Sequence, residues 1–299
     1  MKNIADIYPL SPLQQGMLFH SLYAPHGGSY IIQMNYEIEG IIDKIAFEQA
    51  WQQVINRHSI LRTAFVWEKL EQPLQVVGRS VKVRIEDLDW RNISNFEEQF
   101  KEFLQQQRSD GFNLSKAPLM RLTLIQKAEN VYQFIWCYHH LLLDGWSVPL
   151  LIQEFLAFYQ GKSIDLKPRP YRDYIAWLQQ QDLGKAERFW KENLKGFTVP
   201  TSLKNTHYTE SQESLYKEQQ YQFSSEFTTE IQTFARQHQL TLNTIIQGAW
   251  ALLLNCYSGE DDVLFGTTVS GRPTDLAGSE GMIGLFINTL PVRVQIGHD

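Results

Sequence analysis

Apolar positions recur along this chain with two periods, two residues and about 3.6, and stretches of the two kinds follow one another throughout. Ser11, Pro12 and Gln14 read as a helix start, with Ser at the N-cap, Pro in the first turn and Gln three residues on. Residues 30–38 alternate like a strand. Asp43 is placed to cap a helix whose apolar face carries Phe47, Ala50, Trp51, Val54 and Ile55. Strand-like pieces follow near 61–67, 73–77 and 81–86, then a helix near 93–108 and a strand near 119–126.

The run from Val131 to His140 is apolar on both faces, with Tyr132, Phe134, Trp136 and Tyr138 on one and Val131, Ile135 and Cys137 on the other. Such a strand is expected in the middle of a sheet, buried on both sides. A helix follows, with Ser147 as N-cap, Pro149 in its first turn, and Val148, Leu151, Ile152, Phe155 and Tyr159 facing the core. Gln160–Arg169 is polar, ends close to Pro168 and Pro170, and is the best linker candidate. Helices are predicted near 171–181, 184–194, 227–238 and 242–256, and strands near 215–223, 262–270 and 287–296. This is the pattern of a mixed α/β protein, without internal repeats. A boundary near 170–180 divides it into an N-terminal lobe, 1–175, and a C-terminal lobe, 176–299.

The 299 residues suffice for one large or two modest cores, and 43% hydrophobic with 20% charged residues excludes a disordered or fibrous chain. The net charge of −6 has no long basic run, which argues against nucleic-acid binding. The first ten residues lack the basic head and apolar stretch of a signal peptide, and no apolar run is long enough for a bilayer. Cys137 and Cys256 both fall in apolar runs and are expected as free, buried thiols in a reducing, cytoplasmic protein. Neither has the setting of a nucleophile.

Candidate chemistry concentrates in His139-His140-Leu141-Leu142-Leu143-Asp144-Gly145-Trp146-Ser147. Side chains alternate on a strand, so His139 and His140 are expected to point to opposite faces, one structural and one lining a cavity. A neutral imidazole can accept a proton near neutral pH. Asp144, in the turn after the strand, can either contact an imidazole or anchor the loop by pairing with an Arg. Gly145 permits a backbone conformation, or a close substrate approach, that a Cβ would block. The plainer alternative is two hydrogen-bonded core histidines beside a solvated aspartate. A metal site is disfavoured, because adjacent strand histidines cannot both face one ion.

The string His139 to Gly145 resembles the HHxxxDG signature of the condensation domains of nonribosomal peptide synthetases, in the chloramphenicol acetyltransferase-like superfamily. Four further segments are similar to that family's motifs, in the same order: Ser11-Pro12-Leu13-Gln14-Gln15-Gly16-Met17-Leu18-Phe19, Arg57-His58-Ser59-Ile60-Leu61-Arg62-Thr63, Tyr171-Arg172-Asp173-Tyr174-Ile175-Ala176-Trp177, and Ile283-Gly284-Leu285-Phe286-Ile287-Asn288-Thr289-Leu290-Pro291. Each also has a structural reading: a capped helix, surface groups at a helix-to-strand junction, an aromatic packing helix at the lobe junction, and an amide that satisfies backbone groups.

The resemblance implies a two-lobed fold in which two carrier proteins deliver acyl groups on phosphopantetheine arms, with no cofactor bound by the domain itself. It implies that the acceptor α-amine attacks the donor thioester. His140 serves as base or positioning group, with Gly145 near the oxyanion. His139 is structural, Trp146, Ser147 and Asn288 lie along the substrate channel, and Arg62 pairs with Asp144 as a loop anchor. Partners would be donor and acceptor peptidyl carriers and adjacent synthetase domains. Both histidines are present, unlike in heterocyclising domains, and the separation of His20 from His26 disfavours a dual epimerising type. Family members run on past the fifth motif, so the second lobe is expected to be incomplete. The alternative function is then a catalytically silent fragment that docks a carrier or assembles with a missing part. A stand-alone acyltransferase using coenzyme A thioesters is a third reading.

Overall fold

The computed structural model describes residues 3–24, 28–203 and 219–297. Its contacts divide the chain into two compact units, residues 1–181 with 270–288, and residues 182–269 with 289–299. The sequence reading draws one cut at 175/176. The structure instead returns 270–288 to the first unit, and the polar 160–169 stretch joins two helices within that unit rather than separating lobes.

The first unit runs β1 (Ile4–Pro9), α1 (Pro12–Tyr23), β2 (Ile31–Glu39), α2 (Lys44–Arg57), β3 (Thr63–Val66), β4 (Leu74–Gly78), β5 (Ile85–Asp89), α3 (Phe96–Asp110), β6 (Met120–Ala128), β7 (Val131–His139), α4 (Ser147–Tyr159) and α5 (Tyr171–Gln179). Strands β2-β7-β6-β5 form a sheet, antiparallel except for the parallel pair of β5 and β6. A second, antiparallel sheet has the order β1-β4-β3. β1 is absent from the sequence reading. Its inward positions are Ile4, Asp6 and Tyr8, while Ile7 is exposed, so apolarity does not follow the pleat.

β7 is central, as its two-sided apolar pattern requires. On one face, α2 and α4 cover Phe134 and Trp136. Trp51 lies 5.0 Å from Trp136 and 4.9 Å from Phe155, and Phe47 4.8 Å from Phe155, ring centroid to centroid. Each such side chain, fully buried, contributes roughly 1.5–3 kcal/mol of transfer free energy. On the other face lie Ile135 and Cys137, covered by α3, whose Gln107 amide donates to Thr123 Oγ1 at 3.1 Å. The caps match the sequence signals: Ser11 and Gln14 form a full capping box on α1, and Asp43 Oδ1 accepts the Ile45 and Ala46 N–H groups at 3.0 Å.

Two corrections concern polar residues expected at the surface. His58 is buried and its Nε2 lies 2.5 Å from Glu154, which also takes the Arg57 Nε–H at 3.0 Å, so this segment ties α2 to α4. Burial pushes the Glu154 carboxyl up, but His58 and Arg57 outweigh it and hold it below the usual range. Cys256, expected buried, is exposed.

The second unit contains α6 (Leu183–Asn193), α7 (Ser225–Gln237), α8 (Leu242–Ser258), β8 (Asp262–Val269) and nearly all of β9 (Asn288–Gln295), with β8 and β9 paired. Ala251, Leu254 and Val263 form its core. The strand expected at 215–223 lies largely outside the described residues, as does His26, and 219–223 is not a strand. Among the described residues, no helix is long and apolar enough to cross a membrane.

Candidate active site

The site is built at the C-terminal end of β7. Both neighbours in the sheet pin that end: His139 N–H donates to Leu119 O at 3.0 Å and His140 N–H to Tyr30 O at 2.8 Å. The chain then turns through Leu141, Leu142 and Leu143, all fully buried, before α4 begins.

The two imidazoles take different partners. His139 is buried, its Nδ1 accepts the Leu141 N–H at 3.1 Å, and its Nε2 lies 3.3 Å from Ser21 Oγ. Ser21 donates its own proton to Met17 O at 2.8 Å, so at His139 it is an acceptor and the imidazole carries its hydrogen on Nε2. Burial, reinforced by the neighbouring His140, pushes the His139 pKa down to about 4, so it is neutral at pH 7. His140 is half-buried, and its Nδ1 lies 2.7 Å from Leu143 O. A carbonyl can only accept, so Nδ1 holds the hydrogen and Nε2 is left with a lone pair.

Asp144 is fully buried and contacts neither imidazole through a hydrogen bond. Its Oδ1 accepts from Ser147 N–H at 2.9 Å, lies 2.8 Å from Ser147 Oγ and takes Arg272 Nη2 at 3.3 Å; Oδ2 accepts the Phe286 N–H at 3.1 Å. The partner is therefore Arg272, not Arg62. Arg62 spends its guanidinium on the carbonyls of Ile55, Asn56 and Gly78, closing the end of α2 onto β4. Arg272 Nη1 also donates to Ser279 O and Met282 O, and its guanidinium lies 4.1 Å from the Phe286 ring centroid. Burial pulls the Arg272 pKa down, and Asp144 opposes it. Arg272 escapes a sequence reading because it stands in a loop 128 positions from Asp144 with no periodic context; the string Ser270-Gly271-Arg272-Pro273 marks only a turn.

The remaining candidates separate into buried and open. Ser147, expected to line the channel and cap α4, does neither. It is fully buried, Trp146 occupies the cap position, and the Ser147 hydroxyl accepts the Gly284 N–H at 3.1 Å. Gly145 and Trp146 are exposed, and the Trp146 indole donates to Glu280 O at 3.3 Å. A Cβ on Gly145 would meet nothing within 4 Å, so space beside this residue is open. Asn288 is exposed at the start of β9.

Segment 282–286 is held against the loop by close packing that demands glycine twice. A Cβ on Gly284 would lie 2.1 Å from the Tyr171 ring, and one on Gly271, at φ +61°, 1.8 Å from Phe286 O. Tyr171 OH donates to Leu285 O at 2.6 Å, so the aromatic helix α5 does pack as expected, within the first unit. A cavity of about 230 Å³ also opens beside the strand end. His139 lines it together with Ser21, Trp67, Phe112 and Asn113; His140 does not.

A family model described as Condensation domain matches residues 4–299. The chain is 48% identical to part of the linear gramicidin synthase of Brevibacillus parabrevis, over 99% of its own length and 4% of that synthase polypeptide. It is 37% identical to surfactin synthase subunit 2 of Bacillus subtilis (strain 168), over 100% of this chain and 8% of the relative. The chain thus spans a small fraction of these relatives. Among solved structures it matches the condensation domain of monacolin K polyketide synthase with TM-score 0.78 at 19% identity, covering 98% of this chain and 68% of that one. It matches the first condensation domain of the calcium-dependent antibiotic synthetase, in complex with a substrate analogue, with TM-score 0.79 at 16% identity, covering 99% and 71%. These two likenesses show a shared fold.

Proposed function

The chain belongs to the condensation-domain family, and from that premise we propose that it forms an amide bond between two carrier-bound thioesters. The acceptor's α-amine attacks the donor thioester carbon, the C–S bond breaks, and the lengthened acyl chain remains on the acceptor. The amine must lose a proton and the departing sulfur must gain one. His140 Nε2 is the group suited to carry it between them, or to hold the amine in line for attack. The observation that supports this most is the 2.7 Å bond from His140 Nδ1 to Leu143 O, which leaves Nε2 as an acceptor on the accessible side of an otherwise buried loop.

His139, Asp144, Ser147 and Arg272 support His140 rather than touch substrate. Gly145 leaves open space beside the reacting carbonyl, where its backbone N–H would meet the oxyanion. Exposed Trp146 and Asn288 are the candidates for contact with substrate. Donor and acceptor peptidyl carriers within a cytoplasmic nonribosomal synthetase would bring phosphopantetheine arms; the domain holds no cofactor of its own.

The test is to load donor and acceptor carriers with aminoacyl groups and follow the dipeptidyl thioester by intact mass spectrometry. His140→Ala should lower its formation by ~10²–10⁴-fold, with the melting temperature little changed. Undiminished product from His140→Ala would overturn the assignment.

A further inference from the structure

We propose that Gln14 and Ser21, both on α1, are positioning residues that fix the imidazole of His140 through the two peptide groups that follow it. This rests on the reading of His140 as the reacting group, but the geometry involved is separate from it.

The peptide joining His140 to Leu141 is held by its N–H. That group donates to His139 Nδ1, and His139 is set to accept there because its other nitrogen faces Ser21. The next peptide is held by its carbonyl: Gln14 Nε2 donates to Leu141 O at 2.9 Å. The helix therefore grips Leu141 at both backbone atoms, one directly and one through an imidazole. With both planes fixed, the turn brings Leu143 O to the 2.7 Å bond with His140 Nδ1.

Gln14 is committed to this arrangement. It is fully buried, and its Oε1 accepts from Ser11 N at 2.9 Å and from Gln75 Nε2 at 3.0 Å. Its Nε2 approaches Gln75 Oε1 at 3.2 Å as well as Leu141 O. A flipped amide would set oxygen against the Leu141 carbonyl and nitrogen against the Ser11 N–H, losing bonds on both sides. Gln75 is itself buried and tied to Pro9 O at 3.0 Å. Capping explains the Oε1 contact to Ser11 but not the donation to Leu141, 127 positions away.

Nitrogen-15 spectra of the histidine-labelled chain at pH 7.5 provide the test, with the His140 signals assigned by His140→Ala. The unaltered chain should show the hydrogen on Nε2 of His139 and on Nδ1 of His140. Gln14→Met, similar in size but without the donor, should leave His140 as a mixture of tautomers. Ser21→Ala should mix the tautomers of both histidines, and Ser21→Thr should restore them. In the condensation assay, Gln14→Met and Ser21→Ala should lower kcat by roughly 10- to 100-fold with KM unchanged. A folded Ser21→Ala or Gln14→Met protein that keeps a single Nδ1–H tautomer at His140 overturns the proposal. The tautomer pattern decides this even if the unaltered chain makes no product, an outcome that would count against the proposed activity alone. If Gln14→Met does not fold, the serine pair decides.

Discussion

The stretch from His139 to Ser147 holds two sets of side chains with opposite surroundings. His139, Leu141, Leu142, Leu143, Asp144 and Ser147 are buried, and the polar ones are bonded to α1, Arg272 and the 284–286 segment; His140, Gly145 and Trp146 meet solvent or open space. The polar atoms of the first set are spent on the protein, whereas His140 keeps one imidazole nitrogen uncommitted. Adjacent residues of one type thus acquire different properties. His139 is held neutral with its pKa near 4 and both nitrogens occupied, while His140 has its hydrogen placed on Nδ1 by a carbonyl. A loop that must hold one group still does so by burying nearly everything around it.

The largest expected break of that contrast is Asp144→Ala. It leaves Arg272 buried without its counter-charge and strips the Ser147 and Phe286 N–H groups of an acceptor. Removing one partner of such a pair costs about 3–5 kcal/mol, read by urea denaturation. Asp144→Asn, which keeps an acceptor, should cost less. A loss under about 1 kcal/mol for Asp144→Ala would mean that the network does not hold the loop.

Next in size is the pH dependence contributed by His139. Its pKa is near 6.5 in the unfolded chain and about 4 in the fold. Its stabilisation is therefore complete above the unfolded value and is lost as pH falls from 6.5 through 4, by up to about 3 kcal/mol. His139→Gln should show a flatter fall of stability between pH 7 and 4.5. Parallel curves would place the acid sensitivity elsewhere.

The smallest effect belongs to the open set. Trp146→Ala, at a side chain 58% exposed, should change stability by no more than about 0.5 kcal/mol. Under the proposed function it should nevertheless raise KM for the carrier-bound substrates in the condensation assay. A large loss of stability would show that Trp146 belongs with the buried set.

Most of the fold of the first unit was legible because its amphipathic elements obey simple periods. α2, β7 and α4 bury the faces that their spacing marks, and the caps at Ser11 and Asp43 stand where the residues ask for them. β1 was not legible, because its Asp6 points inward to meet Arg172 at 3.0 Å while Ile7 points out. The roles of His140 and His139 were anticipated from a motif, but the wiring beneath them was not. Ser147 resembled a helix cap and is a buried cross-link; Arg62 resembled the ion partner of Asp144 and closes α2 instead.

What the sequence by itself determined is the local grammar: helix faces, caps, a central strand, and a loop that gathers histidine, aspartate and glycine within a few positions. Those features depend on neighbours in the chain, whose distances are set by covalent geometry. The partner of Asp144, the tautomers of the two imidazoles and the folding of 270–288 back into the first unit were decided only by tertiary structure. Each depends on which groups far apart in the chain arrive at one buried place. There the cost of leaving a charge or a hydrogen-bonding atom without a partner selects the arrangement.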